Sequence, residues 1–585
     1  MNTNNIGILI NGSTGTVGTP AGATPPSIEV SGNNSTGVLV TGTGSSLTMK
    51  GNVTVSGNSV TGIVANATTV KLEDDATVKV DNNGAVAGQI DDKGSYGIVV
   101  KGATGKFEGL GTTADVKVTT DKSIGLYSEG DLTVKKANVT ATDGAINFFA
   151  KNGKININNG GTTETGQKSL LFYTSGTGKV ILGGQLDATI KGGTTPSTRG
   201  TAFYYVSPTR YGAFNTGAIQ AYFNSTFGNG SSTLNHLKLN MEQGSRLFVA
   251  SNVGMNLSDT SATSLMSGIT NAPTIIGSPD YKTFMLYLSK LTINQAVDLN
   301  DPNSSYAKLE IANSSIDNEN NMTGSNNRQV AIAQENGNDT SGNGYNADEV
   351  TLTNKATGVI NLTGEETTGI YAKRGRIANA GKISVGKKST GIYLVEDDRS
   401  PAAATVGATA TNDASGVITV GENSTGIYYK VKNDNADGKG TNTGISGGIS
   451  NDGRIESTAK DVIAMSFDSP YSSKTVKNEQ TGVIDLQGQN STGIFATGTG
   501  TYTAKNDGKI KLASSTNVNT PNIGMYTDKS GITLESNGTI EGGDKTVGMY
   551  GYGINLQSNA ITKVGAGGTG LYSKGGNVTI NGGTL

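Results

Sequence analysis

The chain has no cysteine and no tryptophan, one histidine and 11 prolines in 585 residues. Without cysteine there is no disulfide staple and no thiol nucleophile or thiolate ligand. The lack also permits export, since a cysteine-free chain cannot be locked by periplasmic oxidation before it crosses an outer membrane. A single histidine, His236, excludes a two-histidine metal site and makes any Ser/His/Asp triad depend on that residue. Proline removes ladder donors, so its scarcity favours strands paired along both edges. Charge of one sign is missing too: 45 Lys and Arg against 47 Asp and Glu give a net −2, with no polybasic signature for nucleic acid or anionic lipid. No run approaches the ~18 apolar residues of a membrane-spanning helix. Met1–Asn5 lacks the basic and apolar regions of a secretion signal.

Repetition is abundant. Thr368-Gly369-Ile370-Tyr371 returns at Thr390–Tyr393, Thr425–Tyr428, Thr492–Phe495, Ile523–Tyr526, Val547–Tyr550 and Thr569–Tyr572. Weaker copies begin at Thr36, Thr61, Tyr96 and Ile124. A second motif precedes it: Gly358-Val359-Ile360-Asn361-Leu362, Gly381–Val385, Gly416–Val420, Gly453–Ile455, Gly482–Leu486, Gly508–Leu512 and Gly538–Ile540. The two glycines stand 10 or 11 residues apart in five of six copies and 16 apart in the sixth. After Gly453 the glycine is replaced, but Ala464-Met465 keeps the apolar step. Apolar and polar residues alternate within each motif, the period of a half-buried strand. Two short strands per repeat, joined by corners such as Gly421-Glu422-Asn423-Ser424, describe a coil that buries its apolar face only by stacking on its neighbours.

The expected fold is therefore all-β, a right-handed parallel β-helix. Glycine, 85 of 585, is about twice ordinary usage and supplies corners. Hydrophobic content of 34% suits a thin solenoid, which needs one inward residue in two, and the periodicity argues against disorder. At roughly 4.8 Å per strand and about 25 residues per coil, the expectation is a rod on the order of 100 Å long. The motif is still running at Tyr572, so a segment of a longer protein is expected.

Three regions follow: a degenerate β-helix over 1–195, an aromatic-rich insertion or elaborated coils over 196–345, and a regular β-helix over 346–585. The middle region holds 14 of the chain's 33 aromatics (21 Tyr and 12 Phe), from Phe203 to Tyr345. This irregular insertion is expected to be part-helical: Asp280–Leu288 has apolar residues at the helical spacing 281, 284, 285 and 288 with Asp280 as N-cap, and reads nearly as well as a strand. The aromatics are either a local hydrophobic core or a binding face, since Tyr and Phe suit sugar rings and protein partners alike. On the second reading the candidate ligand-binding residues are Tyr204, Tyr205, Arg210, Tyr211, Phe214, Tyr222 and Phe223. Arg199 and Arg246 are further donors. The tyrosines of the repeat form either an exposed aromatic row or a half-covered stack, and a long exposed apolar stripe would invite association.

No catalytic, metal or cofactor site is expected. Gly444-Ile445-Ser446-Gly447-Gly448 matches a nucleophile elbow, but the composition produces such matches and no strand-to-helix context supports it. No Gly-Lys-Ser/Thr phosphate loop exists. The acidic pairs Asp74-Asp75, Asp91-Asp92, Glu365-Glu366 and Asp397-Asp398 read as solvated corners.

Asn379-Ala380-Gly381-Lys382-Ile383-Ser384-Val385-Gly386 followed by Ser389-Thr390-Gly391-Ile392-Tyr393 resembles the passenger repeat of the very large autotransporter adhesins of fusobacteria and their relatives. Gly244–Ala250, Asp280–Lys290 and Gln329–Gly337 resemble a block shared among those passengers. The resemblance covers about 350–585 well and 1–195 loosely. It implies type V secretion, a β-helical passenger at the cell surface, and anchorage by a C-terminal outer-membrane barrel absent from this chain. The implied partners are a host-cell receptor or glycan, or a surface protein of partner bacteria, with roles in coaggregation and virulence. It carries no ligand-contacting motif onto these residues. The alternatives are a purely structural stalk and, further off, a polysaccharide-degrading β-helix enzyme, which needs converging carboxylates.

Overall fold

The computed structural model describes residues 4–18, 23–73, 77–81, 95–109, 115–121, 123–142, 144–227, 234–335, 349–397, 407–432 and 446–585. It divides into two compact units. One comprises Met1–Met255, Asp259–Leu286 and Lys308–Glu310, the other Asn256–Ser258, Tyr287–Ala307 and Ile311–Leu585.

Both units are all-β parallel coils. Each coil places one strand in each of three sheets, and each strand pairs in parallel with its counterpart one coil on. In the first unit, one sheet runs through Thr36–Thr41, Thr61–Asn66, Ser95–Lys101, Ser123–Ser128, Ile146–Lys151 and Leu170–Ser175. A second sheet of seven strands ends at Lys179–Leu182, and a third of nine ends at Thr274–Gly277. In the second unit, the Gly-x-Ile motif forms one sheet and Gly-Ile-Tyr another. Ile370, Ile392, Ile427, Met465, Ile494, Met525, Met549 and Leu571 stand in one inward column. Met465 thus keeps register where the motif's glycine is lost.

The sequence predicts two strands per repeat, and the structure has three. The overlooked strand lies just upstream of the Gly-x-Ile motif, at Thr351–Asn354, Arg376–Asn379, Thr409–Asn412, Gly447–Asn451, Lys474–Asn478 and Tyr502–Asn506. Its last inward residue is an asparagine. Asn318, Asn354, Asn379, Asn412, Asn451, Asn478 and Asn506 are all fully buried. Each Nδ2 donates to the Oδ1 of the next, at 2.7–2.8 Å, and Asn506 donates to Ser536 Oγ at 3.2 Å. The amide dipoles point one way, so each bond polarises the next.

The backbone carbonyl of the preceding coil and this ladder together explain the corner glycine. A Cβ on Gly416 would lie 2.2 Å from Asn379 O and 2.4 Å from Asn412 Oδ1. On Gly482 it would lie 2.2 Å from Asn451 O and 2.4 Å from Asn478 Oδ1. The carboxamide occupies that space and returns its second proton to the glycine carbonyl, at 3.2 Å for both Gly416 and Gly482. Around it, each inward Ile, Val or Leu contributes about 1.5–3 kcal/mol of burial. Stability in such a stack is a sum of neighbour terms.

Residues 196–345 hold both α-helices found among the described residues, α1 (Thr216–Thr226) and α2 (Ala262–Ser267). They also continue the coils: Thr201–Val206 pairs with Leu170–Ser175 and Arg246–Ser251, and Leu237–Met241 pairs with Leu186–Ile190. Of the two readings of Asp280–Leu288, the strand holds, as Lys282–Tyr287. Position 345 and the expected boundary after it lie outside the described residues.

Candidate functional site

The second sheet of the first unit ends at Lys179–Leu182, and α1 packs against that strand. Asn215 opens the helix: its backbone is extended and its side chain accepts the Ala218 N–H at 3.0 Å. That leaves fewer orphan donors in the first turn. Ile219, Phe223 and Thr226, spaced for one helical face, are buried. Inside the coil they meet a column of phenylalanines, Phe148, Phe172, Phe203, Phe248 and Phe284, with neighbouring centroids 5.0–6.1 Å apart. Phe223 stands edge-on to Phe203 at 5.1 Å, Phe227 edge-on to Phe172 at 5.0 Å and Phe214 edge-on to Phe284 at 5.7 Å.

Phe214 and Phe223, expected at the binding face, are therefore core residues, 1% and 0% exposed. Phe223 is turned inward by the helix, and Phe214, just before its first turn, packs on Phe248 and Phe284. All six phenylalanines of the aromatic concentration are buried core, and its described tyrosines are half-buried.

The tyrosines differ. Tyr204, Tyr205 and Tyr222 are half-buried and line a groove of about 450 Å³. Its walls are Tyr173–Gly176, Tyr204–Val206 and the α1 residues Ala218, Ala221 and Ser225. None of its lining residues carries a charge. The ring planes of Tyr173 and Tyr204 are tilted by 56° at 5.8 Å, and those of Tyr205 and Tyr222 by 88° at 5.7 Å. Burial pushes the Tyr222 phenol well above the ordinary tyrosine range, against the pull of its bonds to the Thr226 side chain and the Tyr204 backbone. No hydrogen bond among the described residues engages the hydroxyls of Tyr173 or Tyr205.

Arg210 and Tyr211 sit on the turn beyond Val206 and do not line the groove. The Arg210 guanidinium lies over the Tyr211 ring at 5.1 Å. Arg199 and Arg246, considered as ligand donors, are spent internally. Glu310 accepts from Arg199 Nε at 2.6 Å, from Arg246 Nε at 2.8 Å and from Arg246 Nη2. Arg199 Nη1 donates to the carbonyls of Gly193 and Gly244, at 2.7 and 2.6 Å. Tyr173 is a groove residue that the sequence reading missed; its signal is Leu171-Phe172-Tyr173, the same inward-then-outward aromatic step as Ala202-Phe203-Tyr204.

Two other grooves are charged. One, in the first unit, is lined by Arg199, Glu242, Asp280 and Lys282. The other, of about 540 Å³ in the second unit, is lined by Lys477, Glu479, Lys505 and Asp507 around Gly447-Gly448. Lys477 pairs there with Asp507 at 2.9 Å and with Glu479.

The repeat tyrosines are a half-covered stack. Tyr393 and Tyr428 are parallel within 13° at 5.0 Å, Phe495 and Tyr526 within 14° at 5.4 Å, and Tyr550 and Tyr572 within 5° at 4.7 Å. Tyr371 and Tyr393 are tilted by 54° and Tyr526 and Tyr550 by 59°, so the parallel stacking runs in pairs.

His236 is half-buried, with Nδ1 2.7 Å from the Leu182 carbonyl. Glu365 and Glu366 form ion pairs with Lys388 and Arg328, at 3.5 and 2.7 Å. Asp74, Asp75, Asp91, Asp92 and Asp398 lie outside the described residues, as do Gly444 and Ile445. Among the described residues no three His, Cys, Asp or Glu side chains converge as a metal site would require. Comparison of the chain with protein-family models, with curated proteins and with solved structures finds no match.

Proposed function

We propose that this chain is a ligand-presenting segment of a bacterial cell-surface adhesin, of the large autotransporter kind its repeats resemble. The proposal places it outside the outer membrane, exported by type V secretion and held there by a barrel beyond this sequence. The partners it proposes are host-cell receptors or glycans and surface proteins of other bacteria. The observation that carries it is the uncharged, tyrosine-lined groove, built where α1 interrupts the stacked strands of the first unit. Its volume falls within the roughly 300–1,000 Å³ usual for small-ligand sites. A non-catalytic role accords with His236 bonding to a backbone carbonyl and with Glu365 and Glu366 in ion pairs at a corner.

A spacer role is favoured for the second unit by its uninterrupted asparagine ladder, a device for stacking coils. Deleting 196–345 is a poor test, because it would remove strands of the coils. The better test is adhesion of purified 1–585 to partner bacteria and cultured host cells, beside Ala221→Trp, which fills the groove from the exposed side of α1. Adhesion by the parent chain that is lost in the variant supports the reading. No adhesion by the parent leaves the spacer, and equal adhesion by both moves the site out of the groove.

A further inference from the structure

We infer that the α1 groove takes a neutral pyranose ring, the end or an internal unit of an uncharged glycan, and excludes acidic sugars. The inference rests on the adhesin reading for its setting but on separate observations for its chemistry. The first is charge. The groove is lined by tyrosine, threonine, serine, alanine, glycine and valine. An ionised carboxylate or sulfate entering it would lose hydration without gaining a cationic partner, which burial penalises heavily. Arg210, on the turn beyond Val206, is laid on the Tyr211 ring instead.

The second observation is ring orientation. A sugar's apolar face packs on an aromatic face, and that face must be uncovered. Among the repeat tyrosines three neighbouring pairs close a shared face by near-parallel stacking at 5–14°, and two are tilted by 54° and 59°. At the groove both pairs are tilted, by 56° and 88°, so neither is closed by parallel stacking. The third is hydrogen bonding. Tyr173 and Tyr205 keep their hydroxyls unengaged among the described residues, and hydroxyls both donate to and accept from sugar hydroxyls. Apolar faces beside neutral donor-acceptors complement a pyranose, which has one apolar face and a polar rim.

The test is calorimetric titration of the full chain with free glucose, galactose, mannose and N-acetylglucosamine. N-acetylneuraminic acid and glucuronic acid are titrated in parallel. At least one neutral sugar is expected to bind and neither acid to do so. Ala221→Trp and Tyr204→Ala are each expected to weaken binding tenfold or more, with strand content by circular dichroism retained. Acids binding as well as neutral sugars, no sugar binding at all, or binding unchanged in folded Ala221→Trp would each overturn the inference. The two readings fail separately. Adhesion that Ala221→Trp abolishes but no neutral sugar inhibits would sink the glycan and keep the adhesin, with a protein partner. Sugar binding without adhesion to any cell would do the reverse.

Discussion

Asn412→Ala should open the second unit locally around one coil. Asn412 accepts from Asn379 Nδ2 and donates to Asn451 Oδ1, each at 2.7 Å, and its other amide proton reaches the carbonyls of Gly416 and Arg454 at 3.2 and 3.3 Å. All three asparagines are fully buried. Alanine leaves Asn379 with a donor and Asn451 with an acceptor that water cannot reach. Two orphaned groups at about 1–3 kcal/mol each give a cost of roughly 2–6 kcal/mol. Because coils couple mainly to their neighbours, the loss should stay local. Hydrogen exchange read by mass spectrometry on the full chain measures it. Peptides over 376–379, 409–412 and 447–451 should exchange between roughly thirtyfold and ten-thousandfold faster, at about 1.4 kcal/mol per decade, while strands several coils away stay unchanged.

Two controls sharpen this prediction. Thr411→Ala changes the outward neighbour, which bonds only to the Ile377 carbonyl at 3.4 Å and Asp413 at 3.0 Å, and should matter little. Gly416→Ala drives a methyl into both the Asn379 backbone carbonyl and the Asn412 carboxamide, so it should be costly alone and only partly relieved once Asn412 is alanine. A coupling of about 0.5–3 kcal/mol is expected for residues sharing space in this way. Asn412→Ala exchanging no faster than Thr411→Ala would refute the ladder as a source of stability, and additive effects of Asn412 and Gly416 would refute their shared space.

Two further outcomes follow from buried charge. Glu310→Gln leaves Arg199 and Arg246 facing each other without a carboxylate, all three sites being 10% exposed or less; breaking such a buried set costs about 3–5 kcal/mol, and an unshifted urea midpoint by circular dichroism would contradict it. Burial, with Tyr393 and Asp468 nearby, pushes the Tyr428 phenol up to about 12 from its ordinary 10.0. The unfolded chain ionises first, so stability should fall as pH rises from 10 through 12, and Tyr428→Phe should flatten part of that fall in melting temperature.

The repeat pattern made the inward columns legible, because Ile, Met and Leu alternate with polar residues at constant distance from a glycine. The third strand was hidden, because it offers a single inward apolar residue, Leu352, Ile377, Ala410, Ile449 or Val476, before its buried asparagine, too short an alternation to stand out. A signal existed: in the copies from Asn354 to Asn506 the asparagine stands two or four residues before the corner glycine. The groove was half legible. Aromatic density marked the region, but density does not tell core from surface, and only α1 separates Phe223, turned inward, from Tyr222 beside it. The helix itself was unreadable, since Thr216-Gly217 opens it weakly and its apolar residues lie among glycine and asparagine.

Regular stacking and ring recognition compete for the same atoms. Where coils follow one another at strand spacing, an outward tyrosine meets the tyrosine of the next coil, and the pair closes a shared face when it stacks parallel. Tyr550 and Tyr572, 5° from parallel, show that state. A break in the stack frees faces only if something prevents the rings from collapsing on one another. In the first unit that support is α1, whose Phe223 and Phe227 anchor it to the internal phenylalanine column while Ala218 and Ala221 leave space on its outer side. The small side chains matter as much as the tyrosines, because a larger residue at either position would close the gap that the helix holds open. Recognition in this chain should therefore be sought where the repeat is broken and braced.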